Sequence, residues 1–283
     1  MHSANAMKNV LVVIGMANSR LREGQIQPKA FRNMNRNLKR KIVAGLALTT
    51  ALLTIHSSAA RGEEERPQPE KNLAKPMRIG VIGAGSLGGA VGSVLVKAGH
   101  EVKFSSRHPD ELVAMARELG PRASVGTPRE AVEFGAVLLF AVPYEALPEL
   151  GRDLKNAIRG KIVLDACNAW GGSAIEKEAE ANGNGPTSAK LLPGTRLVRA
   201  FSAVDATQIK ASFNRQNEKL GVPLASDDAD AMQVAAQLVR DAGCAPVIVG
   251  NLAEGRKFDR GSPGFRANTT ADKLRRLLGL PVR

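Results

Sequence analysis

The chain has 283 residues, 43% of them apolar and 24% charged, a balance that suits a globular protein with a sizeable buried core. Aromatic residues make up only 4%, too few for the stacking platforms that hold single-stranded nucleic acid. The formal net charge of +13 does not restore a nucleic-acid reading: residues 1–76 carry 13 Lys and Arg against 5 Asp and Glu, leaving +5 on the other 207 residues, and a mildly basic body is what an enzyme receiving anionic cofactors needs.

In chain order, the first feature is a basic stretch from Met34 to Lys41, followed by a 14-residue apolar run from Ile42 to Ile55 and a small-residue segment with Ser58 and Ala60 in the −3 and −1 places. These are the three parts of a secretory signal peptide, and the run is shorter than the roughly 20 residues that span a bilayer. Export to the periplasm with cleavage after Ala60 is therefore expected, with Met34 as the natural start; a mis-assigned start would leave the protein cytoplasmic. Residues 61–76 are polar and Pro-containing, as in a disordered linker. The expected organisation is an N-terminal extension and leader over 1–60, the linker, a dinucleotide-binding domain over 77–195 and a C-terminal part over 196–283.

Arg78 to Ile82 reads as a short strand and runs directly into Gly83-Ala84-Gly85-Ser86-Leu87-Gly88. A helical pattern closed by Gly99 follows, then a second strand from Glu101 to Ser105. Set between strand and helix, this glycine spacing is the dinucleotide fingerprint. Gly83 makes the tight turn, Gly85 admits the pyrophosphate and Gly88 lets helix pack on strand, while the helix N-terminus favours the anion. An NAD site wants Asp or Glu at the end of the second strand. Here stand Ser105, Ser106 and Arg107, with no acid before Asp110; hydroxyls and a planar guanidinium suit a 2′-phosphate, so NADP is the expected cofactor.

Beyond this, helical spacing is expected over 109–119, a weak strand over 123–125, a helix over 128–134 and a buried parallel strand over 136–143. Its end, Ala141-Val142-Pro143, falls at the rim where open α/β sheets bind ligands. A helix over 145–158, a strand over 161–166 ending near Asn168, a loop over the next Gly-, Asn- and Pro-containing stretch, strands over 195–204, 220–225 and 245–250, and a helix over 228–242 complete the pattern. The alternation predicts a doubly wound, mainly parallel Rossmann-type α/β fold with a smaller C-terminal α/β part. Cys167 and Cys244 lack CxxC spacing, and neither has His neighbours of zinc-site spacing, so no metal site is expected. No general acid or base is assigned, and no catalytic side chain is named.

The run from Met77 to about Arg256 resembles the F420-dependent NADP oxidoreductase family, whose Rossmann domain is also the reductase part of certain membrane metalloreductases. The matching pieces are residues 78–88, Ser105-Ser106-Arg107, Ala141-Val142-Pro143, Leu164-Asp165 with Asn168, Leu197 to Phe201, and Gly250-Asn251-Leu252 with Gly255-Arg256. The resemblance implies that Gly83, Gly85, Ser86, Leu87 and Gly88 hold the pyrophosphate, and that Ser105, Ser106 and Arg107 hold the 2′-phosphate. It sets Ala141, Val142, Pro143 and Asn168 beside the nicotinamide, and Phe201 and Ser202 near a second substrate, coenzyme F420 or a flavin. Members usually read Ala-Phe-Asn where this chain has Ala200-Phe201-Ser202, and often carry a second basic residue where it has Asp110 and Glu111. The implied activity is hydride transfer between NADPH and a deazaflavin or flavin. A metalloreductase-like flavin reductase and a non-catalytic NADP-binding sensor stay open as alternatives. The expected partners are small-molecule cofactors, with no nucleic acid, no stable membrane span, and a homodimer left open.

Overall fold

The computed structural model describes residues 75–282. The expected leader over 34–60 and the linker as far as residue 74 lie outside the described residues. Eight strands form one sheet: β1 Arg78–Ile82, β2 Glu101–Ser105, β3 Ala123–Gly126, β4 Val137–Phe140, β5 Ile162–Asp165, β6 Arg196–Arg199, β7 Gly221–Ala225 and β8 Ala245–Gly250. Their order is β3-β2-β1-β4-β5-β6-β7-β8. Pairing is parallel except between β6 and β7, which meet antiparallel at Arg199 and Ala225. This is the doubly wound Rossmann-type architecture expected from the alternation.

Helices cover both faces: α1 Ser86–Lys97, α2 Val113–Leu119, α3 Pro128–Phe134, α4 Leu147–Asp153, α5 Lys155–Ile158, α6 Ala174–Asn182, α7 Asn184–Leu191, α8 Ala206–Phe213, α9 Ala229–Asp241 and α10 Ala271–Leu277. Because both faces are covered, β4 is apolar and buried along its whole length. Along β4, Val137 and Leu139 join one core with Val81, Phe104, Val91 and Leu95, whereas Leu138 and Phe140 join the other with Val132, Leu147 and Val163. The chain reverses direction across the sheet between β1 and β4, and ligands bind at the carboxyl ends of the strands at such a point.

Three expectations change. The stretch after Trp170 is not a loop: Ser173 and Glu176 form a reciprocal capping box that starts α6, and α7 follows Gly183, whose φ is +92°. The Ser-x-x-Glu pattern was readable, but the surrounding Gly, Asn and Pro residues outweighed it. The strand expected over 195–204 stops at Arg199, because Phe201 has φ +61° and turns the chain out of the sheet. The single helix expected over 145–158 is a 3-10 turn at Tyr144–Ala146 followed by α4 and α5. Among the described residues no helix is long and apolar enough to cross a membrane.

Candidate functional site

The fingerprint turn is shaped by backbone proximity. Gly83 has φ +92°, and a Cβ there would lie 2.5 Å from the Ala141 carbonyl oxygen, while a Cβ on Gly88 would lie 2.1 Å from the Gly83 carbonyl oxygen. Gly83 and Ala84 both donate their N–H to the Ser105 carbonyl, which binds the turn to the end of β2. Gly85, the N-cap of α1, is different: a Cβ there would meet nothing within 4 Å. The empty space lies in front of a 12-residue helix N-terminus, where unpaired N–H groups face outward. A dinucleotide pyrophosphate fits this cradle, with Gly88 acting beneath it as a packing residue and Ser86 on the exposed first turn of α1.

A cavity of about 720 Å³ opens beside the turn, lined by Gly83, Gly85, Ser106, Arg107 and Ala141 to Pro143, a volume ordinary for a ligand site. Arg107 is exposed and has no ion pair among the described residues. Ser106 Oγ accepts from the His108 N–H at 2.8 Å, which fixes the turn that presents Arg107. Ser105 must be reassigned. It is fully buried, and its Oγ donates to the Val81 carbonyl at 2.8 Å, so its hydroxyl serves the sheet and the phosphate contact falls to Ser106 and Arg107. Thr127, Pro128 and Arg129 line the same cavity, and Glu145, Glu149 and Asp153 line it as well; the sequence reading anticipates none of these.

The wall from Ala141 to Pro143 and Glu145 is shared with a second cavity, of about 580 Å³, lined also by Leu87, Asn168, Trp170 and Glu176. Asn168 is held at both ends: its Nδ2 donates to the Ser202 carbonyl at 2.7 Å and its Oδ1 accepts from Arg199 Nη2 at 3.0 Å. Trp170 is 55% exposed. Its ring meets Phe265 edge-on, with centroids 6.2 Å apart, and lies 4.9 Å from the Arg260 guanidinium. Phe201 and Ser202 line neither cavity. The Phe201 ring is fully buried in the core, and the Ser202 hydroxyl is buried with no partner, so Ser202 contributes its backbone carbonyl to Asn168 and no side chain to a substrate.

Beneath this second cavity lies a buried polar network that sequence reasoning missed. Arg199 is fully buried and pairs with Asp165 at 2.9 Å and Asp259 at 3.2 Å; it also donates to the Cys167 carbonyl. Asp259 accepts from the Asn184 N–H at 3.1 Å, Asn184 Oδ1 accepts from the Ala169 N–H at 2.9 Å, and the Tyr144 hydroxyl donates to the Asn184 carbonyl at 3.0 Å. The loop from Ala166 to Trp170 is thereby fixed from below. Burial opposes the Arg199 charge, but the two carboxylates outweigh it and its pKa is raised.

The same surroundings remove several groups from acid–base work. Burial pushes the Tyr144 hydroxyl far above its ordinary value, against the Ser188 hydrogen bond. Both cysteines are free and buried; burial and then the Asp165 charge raise Cys167 well above its ordinary value, and burial pushes Cys244 up to about 11. Neither is a reactive thiolate. The Glu176 carboxylate accepts from the backbone N–H groups of Ser173, Trp170 and Gly172 at 2.9–3.0 Å, and these bonds hold its pKa below the usual carboxylate range.

Residues 78–169 match the family model described as NADP oxidoreductase, coenzyme F420-dependent. Over this segment the chain is similar to the F420-dependent NADP oxidoreductase family. An F420-dependent NADP reductase from Methanothermobacter marburgensis is 28% identical over 203 residues, covering 66% of this chain and 90% of that protein. The human metalloreductase STEAP2 is 26% identical over 187 residues; the match spans 66% of this chain and 36% of the metalloreductase's length. Among solved structures, a hypothetical protein from Sinorhizobium meliloti is similar with a TM-score of 0.58 at 25% identity, over 69% of this chain and 96% of that one. A putative F420-dependent NADP-reductase from Arthrobacter sp. shares the fold, with a TM-score of 0.54 at 19% identity over 64% of this chain and 87% of that one.

Proposed function

We propose that this protein transfers hydride between NADPH and a planar acceptor of the deazaflavin or flavin type. The observation that carries the reading is the continuity of the two cavities: the phosphate turn with Arg107 at one end shares the Ala141–Pro143 wall with the space before Asn168 and Trp170. Gly83 to Gly85 and the α1 N-terminus would hold the pyrophosphate, Ser106 and Arg107 the 2′-phosphate, and Val142, Pro143 and Asn168 the nicotinamide end. The nicotinamide supplies the hydride when bound. This chain's part is alignment, which hydride transfer needs more than proton movement. Arg199 and Ser202 fix the Asn168 amide, Glu176 fixes the Trp170 backbone, and the exposed indole offers a flat apolar surface for a ring to stack on. Similarity to the M. marburgensis F420-dependent NADP reductase favours a deazaflavin acceptor.

The test is a panel: full-length protein with NADPH and, in turn, coenzyme F420, riboflavin, FMN and FAD, followed by loss of nicotinamide absorbance. Oxidation by at least one acceptor, faster with NADPH than NADH, is expected. Tight NADPH binding with no turnover for any acceptor would replace the enzyme by a non-catalytic NADP-binding protein. Residues 34–60 support a second proposal, that the chain is exported and cleaved after Ala60. N-terminal sequencing of the native protein should then begin at Arg61, and recovery of an intact leader in the soluble cytoplasm would overturn it.

A further inference from the structure

We propose that Arg129 is the second cation of the 2′-phosphate site and a determinant of NADP(H) over NAD(H), an inference that rests on the cofactor reading above. Strand register brings it there. Ser105 in β2 pairs with Gly126 in β3, so the segments that follow, Ser106-Arg107 and Thr127-Pro128-Arg129, leave the carboxyl rim of the sheet side by side and line one cavity. The root of Arg129 is rigid. Thr127 and Glu130 cap α3 reciprocally, the Thr127 N–H donating to Glu130 Oε2 at 2.7 Å and the Glu130 N–H to Thr127 Oγ1 at 3.3 Å, and Pro128 occupies the first turn. Glu130 is thus committed to the cap.

The tip of Arg129 is lightly held. Its Nη2 donates to the Asp153 backbone carbonyl at 2.9 Å, and it forms no ion pair among the described residues. A guanidinium carries five N–H donors in a fixed fork, so most remain available. Exchanging a neutral carbonyl for a phosphate oxygen converts an ordinary hydrogen bond into a charge-assisted one. Charge balance gives the same answer. The cavity also carries Glu145, Glu149 and Asp153, and a phosphomonoester entering it brings a charge of about −1.5 to −2. Arg107 alone offsets about half of the phosphate charge, whereas Arg107 with Arg129 offsets the phosphate itself and leaves the three carboxylates uncompensated. The departure that places Asp110 and Glu111 after Arg107 has a structural answer, because the second cation comes from the first turn of α3, which follows the neighbouring strand.

The experiment separates phosphate recognition from turnover by using adenosine 2′,5′-bisphosphate and 5′-AMP, titrated calorimetrically into the full-length protein. Wild type should bind the bisphosphate more tightly. Arg129→Gln should weaken bisphosphate binding about tenfold or more and leave 5′-AMP unchanged, and Arg129→Lys should fall between. Arg129 is exposed, so thermal unfolding should not move. If wild type does not distinguish the two nucleotides, the NADP reading fails and takes this inference with it. If wild type distinguishes them and Arg129→Gln does so equally well, the inference alone is overturned.

Discussion

At the proposed phosphate end of the cleft, the groups on offer are backbone N–H groups and two exposed arginines, Arg107 and Arg129, neither of which has an ion pair among the described residues. At the acceptor end nearly every polar side chain is committed to another part of the protein: Asn168 to Ser202 and Arg199, Glu176 to the Trp170 loop, Arg199 to Asp165 and Asp259. The first end waits for the charge of its ligand. The second is finished before any ligand arrives, which suits a reaction that depends on the alignment of two flat rings. An end of the first kind should lose affinity when cut, and an end of the second kind should lose stability.

The largest effect expected from that contrast is at Arg199. Arg199→Leu leaves Asp165 fully buried without its counter-ion, a change that costs about 3–5 kcal/mol. Denaturant unfolding followed by circular dichroism measures it. The double change Asp165→Leu with Arg199→Met should recover part of the loss, since the fully buried carboxylate is then gone and only the less deeply buried Asp259 is left without its partner. A loss of about 1 kcal/mol or less, typical of an exposed pair, would show that the network does not hold the acceptor end.

At the phosphate end the sign of the contrast reverses. Arg107→Ala should leave unfolding unchanged and cost about 1.5–3 kcal/mol of NADPH binding, with NADH nearly unaffected, because only the 2′-phosphate reaches it. Equal affinity of wild type for the two cofactors would sink the assignment. The glycines sharpen the same point. Gly88→Ala drives a Cβ into the Gly83 carbonyl and should cost about 1–3 kcal/mol of stability. Gly85→Ala points its methyl into the open cradle, so the free protein should unfold as before while NADPH and NADH both bind more weakly. Comparable effects of both alanines on free-protein stability would contradict the division of labour between them.

This contrast also governs what could be read from the sequence. The fingerprint turn, the Ser106-Arg107 turn and the Ala141–Pro143 rim are legible as structure because they follow from local order: strand, glycine turn and helix within one stretch of chain. Arg129 was missed because its place beside Arg107 is a matter of strand register, which spacing does not reveal. Ser105 was over-assigned for a related reason. Side chains alternate along a strand, and the phase that turns its hydroxyl to Val81 is visible only once the strand is built. The buried network was missed because it joins residues 40, 60 and 75 positions apart, Tyr144 to Asn184, Arg199 to Asp259 and Asn184 to Asp259. Phe201 looked like a substrate contact by its place after β6, but its φ of +61° swings the ring into the core.

The smallest effect expected is local, and Trp170 reports it, being the only tryptophan in the chain. Its backbone N–H donates to the Glu176 carboxylate, which also accepts from Gly172 and Ser173. These bonds, those from Ser173 and Trp170 foremost, hold the Glu176 pKa below its ordinary value in the folded protein. A carboxyl depressed by folding stabilises the fold above its unfolded pKa, about 4.3 for Glu, and that contribution is lost as pH falls through the lower, folded value. Trp170 emission should therefore stay constant from neutral pH down to about 4. Below that it should shift, and iodide quenching should rise, as the loop over residues 170–173 loosens. Glu176→Gln, which keeps the size but loses the charge and one acceptor oxygen, should show the loosened emission already at neutral pH. A transition centred at or above the ordinary glutamate value would mean that the loop is held by its contacts with Phe265 and Arg260 and not by this carboxylate.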